Sequence, residues 1–388
     1  MKKKILLGLS GGVDSAVAAY ILKEQGYDVT CAFMRNWDAY ANNDILGNPT
    51  IQDDICPQEQ DYMDAKAVAD QLKLPLLRVD FVKEYWDDVF STFLKEYERG
   101  RTPNPDILCN KYIKFDAFMK FAQKQGFDTV ATGHYARVKH EAEESILLRG
   151  KDSNKDQTYF LCQISQDALS HTVFPIGELA KQEVRHIADQ LHLDSVATKK
   201  DSTGICFIGE RNFRQFLKNY LPMQDGDIVN IADLQVLGRH SGVMYYTIGQ
   251  RKGLGIGGTK GPWFVVGKDV KKNILYVATG DDKEWLQSTG CIVSQVNWFS
   301  AQKPHGEYHC TAKFRYRQED NDVTIRFIDD TTVFVSYPQG VMSVTGGQEA
   351  VFYQESVCLG GGVIEEVFVH DITIDEKIAM RCEDGNML

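Results

Sequence analysis

Two cysteines of this chain sit in surroundings unlike those of a core thiol. Cys109 closes the run Gly100-Arg101-Thr102-Pro103-Asn104-Pro105-Asp106-Ile107-Leu108 and is followed by Asn110. Two prolines and two asparagines make this a rigid loop rather than a buried strand. Asp106 precedes Cys109 by one helical turn if the chain coils after Pro105. A carboxylate and a thiol on one face suit proton transfer beside a nucleophile. Asp106 alone would raise the thiol's pKa, so Lys111, Lys114 or the helix N-terminus must offset it if a thiolate is to form. Pro105 and Asp106 are equally the residue types that open a helix's first turn. Cys206 lies in Asp201-Ser202-Thr203-Gly204-Ile205-Cys206-Phe207-Ile208-Gly209, where the flanking glycines suggest close approach by another surface, a buried structural thiol being the plain alternative. Most of the nine cysteines read as small buried hydrophobes. Their odd number does not suggest a secreted disulfide framework, and without a Cys-x-x-Cys pair no zinc knuckle is expected.

A third chemical feature is Ser10-Gly11-Gly12-Val13-Asp14-Ser15, between an apolar run and a helical stripe. Adjacent glycines let the backbone approach an anion, the helix N-terminus offers free N–H groups, and the two serines add hydroxyls. This is a phosphate cradle without the lysine of a Walker loop and without the dinucleotide G-x-G-x-x-G. A G-x-G-x-x-G does occur at Gly253, Gly255 and Gly258, but it leads into Gly261-Pro262-Trp263 rather than a helix, so it reads as a decoy.

Elements that position these groups follow from hydrophobic periodicity. Residues 5–9, 29–34, 76–80 and 129–132 read as strands. Between them, Val13, Val17, Tyr20 and Ile21 make one helical stripe, and Tyr62, Ala65, Ala69 and Leu72 a second. Trp86, Val89, Phe90, Phe93 and Tyr97 make a third. Strand and helix in alternation predict a parallel α/β sheet. Residues 39–54, rich in Asn and Asp, read as a surface excursion. After about Asp201 glycines cluster and helical stripes fade. Beyond Cys291, alternating runs at 311–317, 323–328 and 333–337 predict an antiparallel sheet or small barrel. In the first of these, Lys313, Arg315 and Arg317 fall on one strand face, with Phe314 and Tyr316 on the other.

Composition narrows the class. The 388 residues suffice for two or three domains, with no apolar run of membrane-spanning length and no signal-peptide cleavage pattern, so a cytoplasmic protein is expected. Net charge is −11, which argues against a nucleic-acid partner. The charge is uneven, however. Residues 236–317 carry 12 Lys/Arg against 5 Asp/Glu, and residues 318–388 carry 3 against 14. With Arg239, Arg251, Lys252 and Lys260, the stretch at 313–317 makes a candidate phosphate-tracking face, although a solvated exterior would look the same.

The loop Ser10–Ser15 resembles the pyrophosphate loop of the N-type ATP pyrophosphatases. Taken with Gly100–Asn110, Gly133-His134-Tyr135-Ala136, Lys155-Asp156-Gln157, Ser202–Gly209 and the run Tyr246–Gly255, it resembles the bacterial tRNA-specific 2-thiouridylases along nearly the whole chain. The longer 39–54 excursion is the departure. That resemblance implies a Rossmann-like parallel sheet over 1–210, a small Gly-rich central domain over 211–288 and an antiparallel β-barrel over 289–388. It implies ATP held by Gly8, Leu9, Ser10, Gly11, Gly12, Val13, Asp14, Ser15, Met34 and Gly133, with Mg²⁺ accompanying the phosphates and no protein-built metal centre. Cys206 would receive a persulfide sulfur from a relay protein, Cys109 would release it through a disulfide with Cys206, and Asp106 would be the acid/base carboxylate. Asn104, Pro105, Asp106, His134, Lys155, Asp156, Gln157, Arg315, Tyr316 and Gln348 would touch tRNA. A lone histidine such as His134 is as readily structural.

Overall fold

The computed structural model describes residues 2–199, 208, 211–257, 261–280, 282–300 and 305–385. Cys206, Gly258 and Lys260 lie outside the described residues, so their predicted roles are not located.

The chain begins with β1 (Lys4–Gly8), α1 (Val13–Glu24), β2 (Asp28–Arg35), α2 (Pro57–Leu72) and β3 (Leu76–Asp80). A short β4 (Val130–Ala131) and an edge strand at Thr172–Val173 complete a sheet ordered β3-β2-β1-β4-edge, parallel at every pairing. The predicted strand at 129–132 is thus only two residues long. Both sheet faces are covered, which is why β1 is apolar almost throughout. Ile5 and Leu7 join a core with α1, α2 and the helix Lys181–Gln190, while Leu6 enters a second core with the segments 82–98 and 105–124. Each of those two segments carries a π-helical stretch, Tyr85–Phe90 and Asn110–Ala117.

A four-stranded central sheet follows, ordered Trp263–Asp269, Ile274–Thr279, Gly226–Asn230 and Val236–His240. The C-terminal helix Ile374–Gly385 packs back on it through Ile378, buried with Val266 and Tyr276. The glycines of the decoy motif, Gly253 and Gly255, lie in a loop at positive φ that leads to the strand Trp263–Asp269.

Six antiparallel strands close the barrel: Gln287–Trp298, Val333–Met342, Asn321–Phe327, Glu307–Lys313, Glu349–Gln354 and Val357–Val369, the last pairing with the first. The hairpin Ala136–His140/Ser145–Arg149 extends this sheet, with Leu148 opposite Val357. The barrel departs from the predicted strand at 311–317. That strand ends at Lys313, because its partner begins at Asn321 opposite Ala312 and the turn consumes the residues between. Arg317 takes φ +64° in that turn. Lys313, Arg315 and Arg317 therefore do not share a strand face.

Candidate functional site

Sheet order reverses direction between β1 and β4, the place where open α/β sheets form a crevice at their carboxyl ends. A cavity of about 600 Å³ lies there, lined by Gly8 at the end of β1, Ser10, Gly11, Gly12, Asp14 and Ser15 after it, Met34 near the end of β2, and Gly133 and His134 after β4. Leu9 and Val13 turn instead into the core, 1% and 5% exposed. Two glycines are required by contact. Gly11 has φ +75°, and a Cβ there would lie 2.2 Å from the Asp61 carbonyl oxygen. A Cβ on Gly133 would lie 2.8 Å from the Ser15 amide nitrogen, so the β4 turn rests directly on the first turn of α1. The Ser15 hydroxyl donates to the Gly12 carbonyl (3.0 Å) and accepts from the Ser10 amide (3.1 Å), bracing the loop from within. Ser10 is the exposed hydroxyl at the cavity.

Asp14 is tightly held. Lys181 Nζ lies 2.7 and 2.8 Å from its two carboxylate oxygens, and the Tyr135 hydroxyl donates to Oδ1 at 2.7 Å. On the other side of the loop, Lys199 Nζ bridges the Gly11 carbonyl (3.1 Å), Asp61 (2.6 Å) and Asp64 (2.6 Å), and it lines the cavity with Asp61. Burial pushes the Asp61 carboxyl up, against the pull of the Lys199 ammonium. Sequence reasoning missed Lys181, Tyr135's hydroxyl, Lys199 and Asp61 because they come together from distant segments with no shared motif.

Residues 39–54 are more than a surface excursion, which corrects the sequence reading. Ala39, Tyr40, Asn48, Thr50, Ile51 and Asp53 wall the same cavity. Beneath them Asp44 is fully buried, accepting from Trp37 Nε1 (3.0 Å) and paired with Arg211 (2.8 Å). A buried carboxylate is tolerated when charge-paired and hydrogen-bonded in this way.

His134 is 8% exposed, and its Nδ1 shares a 2.7 Å hydrogen bond with the Thr132 hydroxyl. Burial, aided by the Lys114 charge, holds its pKa well below 6.5, so the ring is neutral. Lys114 also lines the cavity.

Asn104 caps the helix Pro105–Cys109, its side-chain oxygen accepting from the Asp106 amide at 3.1 Å. Pro105 and Asp106 occupy the first turn, and Cys109, expected on a loop away from any core, is instead the last residue of this helix and fully buried in the core with Ile107 and Ile113, because the chain coils directly after Pro105. The loop before this helix is docked on the barrel. The Thr102 amide donates to the Gly346 carbonyl (3.0 Å), Gln348 Nε2 donates to the Thr102 carbonyl (2.7 Å), and Arg101 pairs with Glu365. Arg315 Nη2 is turned inward to the Ile248 carbonyl and the Thr345 hydroxyl, both at 2.8 Å, and burial lowers its pKa. Tyr316 packs on Phe160 with ring centroids 4.4 Å apart, and the Phe160 carbonyl accepts from Asn110 Nδ2 at 2.8 Å. Asn104, Asp106, Cys109, Gln348, Arg315 and Tyr316 thus gather where the barrel meets the helices of the parallel sheet.

In the third predicted segment, Lys155 and Gln157 are half-buried while Asp156 is buried, its carboxylate accepting from the Gly150 amide and the Thr158 hydroxyl. Gln157 lines the cavity and its Oε1 accepts from the Tyr135 amide at 2.9 Å. Of the remaining basic residues, Arg251 and Lys252 are exposed, whereas Arg239 pairs with Asp227 at 2.8 Å.

No cluster of three His, Cys, Asp or Glu side chains able to hold a metal ion occurs among the described residues. Nor, among them, is any helix long and apolar enough to cross a membrane.

Three family models match in succession: a tRNA methyl transferase HUP domain over residues 3–210, a tRNA methyl transferase PRC-barrel domain over 214–279, and an aminomethyltransferase beta-barrel domain over 288–364. A tRNA-specific 2-thiouridylase MnmA of Mycoplasma capricolum is 56% identical over 374 residues, covering 95% of this chain and 100% of that protein. A tRNA-specific 2-thiouridylase MnmA 1 of Geobacillus kaustophilus is 54% identical over 372 residues, covering 95% and 97%. Among solved structures, the NMN synthetase of Francisella tularensis is similar over 53% of this chain and 68% of its own, with 18% identity and a TM-score of 0.33.

Proposed function

Since the chain belongs to the tRNA-specific 2-thiouridylase family and is thereby a tRNA sulfurtransferase, we propose that it thiolates the wobble uridine at C2 by adenylation followed by persulfide transfer. One observation carries this reading. The helical segment that starts at Pro105 and carries Asp106 and Cys109, its preceding loop docked on the barrel, continues to Lys114 in the cavity where the phosphate loop lies. On this reading a base held at Asn104–Asp106 would reach along that segment toward a nucleotide in the cavity.

A uridine C2 oxygen is a poor leaving group. Attack of O2 on the α-phosphate of ATP forms an O–P bond and releases pyrophosphate into the loop at Ser10–Ser15, whose amides and helix N-terminus suit that charge. The terminal sulfur of a Cys206 persulfide then attacks C2 and AMP departs with the oxygen. Cys109, with Asp106 taking its proton, attacks the Cys206 sulfur, forming a disulfide and freeing the sulfane sulfur as the C2 thione. That sulfur is reduced and the two thiols are oxidised, so a cellular dithiol must reset the disulfide before the next turn. Neutral His134 can accept or donate a hydrogen bond at the base without adding charge. If Mg²⁺ accompanies the triphosphate it would supply neutralising charge there, and Asp14, now paired with Lys181, is the one loop carboxylate that could hold it. A small protein carrying a persulfide is the implied sulfur source, and the soluble tRNA pool of the cytoplasm is where such an enzyme would act.

The test is to follow AMP, pyrophosphate and 2-thiouridine with unmodified tRNA, ATP and a persulfide donor. Wild type should release AMP only with tRNA. Cys109→Ser and Cys206→Ser should each make no 2-thiouridine while binding ATP normally. Substantial product from either variant would refute the two-thiol route.

A further inference from the structure

A continuous polar chain joins the phosphate loop to the segment 152–157. Its centre is Asp14, gripped by Lys181 Nζ and by the Tyr135 hydroxyl. From Tyr135 the chain continues through the backbone, whose amide donates to Gln157 Oε1 (2.9 Å) and whose carbonyl accepts from the Gln157 amide (2.9 Å). From Lys181 it continues through the backbone amide, which donates to Asp152 Oδ2 at 3.0 Å. Both routes end in the same short segment, and both begin on the one carboxylate that faces the nucleotide cavity from the loop. Lys181 is among the less exposed lysines, 11% at its side chain, so its charge belongs to Asp14 rather than to solvent.

We propose that Tyr135 and Lys181 are positioning residues that couple nucleotide binding to tRNA binding, by tying the Asp14 carboxylate to the segment 152–157. The inference rests on the expectation that Lys155, Asp156 and Gln157 of this segment touch tRNA. Displacing Gln157 or Asp152 by docked RNA must shift Tyr135 or Lys181, because the bonds are to their own backbones. Gly133 leaves little slack on that side, since a single carbon added there would lie within 3.0 Å of the Asp14–Ser15 peptide. Asp14 is therefore fixed differently with and without RNA, and a triphosphate meets a different local charge in the two states. Coupling of this kind is reciprocal, each ligand tightening the other by the same factor.

The experiment titrates the full-length protein with an α,β-methylene analogue of ATP, which cannot be split, with and without saturating unmodified tRNA. In wild type, tRNA should tighten nucleotide binding by about tenfold, a usual size for such coupling. Tyr135→Phe removes one oxygen, and Asp152→Ala cuts the far end without touching the cavity. Each should bring the ratio below about threefold while nucleotide affinity without tRNA stays within about threefold. A purely structural role would weaken binding equally in both conditions and leave the ratio unchanged. A wild-type ratio of one, or a full ratio in both variants, overturns the coupling. Failure of the wild-type protein to bind tRNA would instead overturn the functional reading itself. A fall in tRNA affinity in Gln157→Ala, measured in parallel, supports the placement of RNA on the segment; no change removes it and the coupling with it.

Discussion

The phosphate loop and the basic stretch of the barrel are both short runs of contiguous residues, yet the loop is shaped from within and the stretch from outside. In the loop, Ser10 to Ser15 act within one turn, and their spacing alone fixes which amides converge and which hydroxyl braces the backbone. In the barrel, the alternation Lys313, Arg315, Arg317 becomes a shared face only if a strand runs through all three. Strand length is set elsewhere, by where Asn321 begins pairing with Ala312. The lesson is about range: a motif whose chemistry is local survives folding, while a periodic pattern waits on its partner strand.

The strongest way to sharpen this contrast is Gly11→Ala. The added carbon collides with the Asp61 carbonyl and favours a different φ. ATP affinity should fall by more than about a hundredfold, roughly 3 kcal/mol, with tRNA affinity within a few-fold. Calorimetric titration of each ligand checks both. Next comes Arg315→Ala, which strips the hydrogen bonds to Ile248 and Thr345. It should destabilise the protein by about 1–3 kcal/mol, seen as a lower urea midpoint, because buried acceptors lose a charged donor. An Arg315→Ala variant of unchanged stability would return this residue to the solvated face that its sequence spacing suggested.

A third test concerns pH. His134 is held neutral in the fold while the unfolded chain titrates near 6.5. Below about 6.5 the unfolded state binds a proton that the folded state refuses, so stability falls with decreasing pH, by at most about 1.4 kcal/mol per unit. His134→Gln should flatten that fall, which thermal melts at pH 5.5 and 7.5 will reveal. The smallest effect is expected at Arg317, the exposed end of the basic stretch. Arg317→Ala should leave stability unchanged and, if this guanidinium meets a phosphate, reduce the salt slope of tRNA binding by about 0.9.

Much of the architecture was legible. The alternating strands and stripes give the parallel sheet, and the period-two runs give the barrel, because each pattern reports which face is buried. Asp106 and Cys109 do share a helical segment, as the Pro105 start requires. What was hidden depended on long-range encounters. Lys181 reaches Asp14 across 167 positions and Lys199 reaches Asp61 across 138, and no spacing rule connects such pairs. Residues 39–54 lacked periodicity for a related reason. They are ordered by buried polar groups, Asp44 with Arg211 and Trp37, rather than by an apolar face.

The hairpin strand Ser145–Arg149, which continues the barrel sheet, has a consequence for how the chain is made. Its partner at Val357 emerges from the ribosome about two hundred residues later, roughly 10–40 s at ordinary synthesis rates. For that interval the catalytic sheet's helices can assemble while one outlying hairpin keeps an open edge, the kind of surface that recruits a second strand from any source. The barrel's last strand, Val357–Val369, is thus the one that bridges to it, at Leu148. A chain truncated before Val357 would keep the phosphate loop whole but lack both the bridge at Leu148 and the strand that closes the barrel, leaving unpaired edges of the kind that recruit strands from other chains.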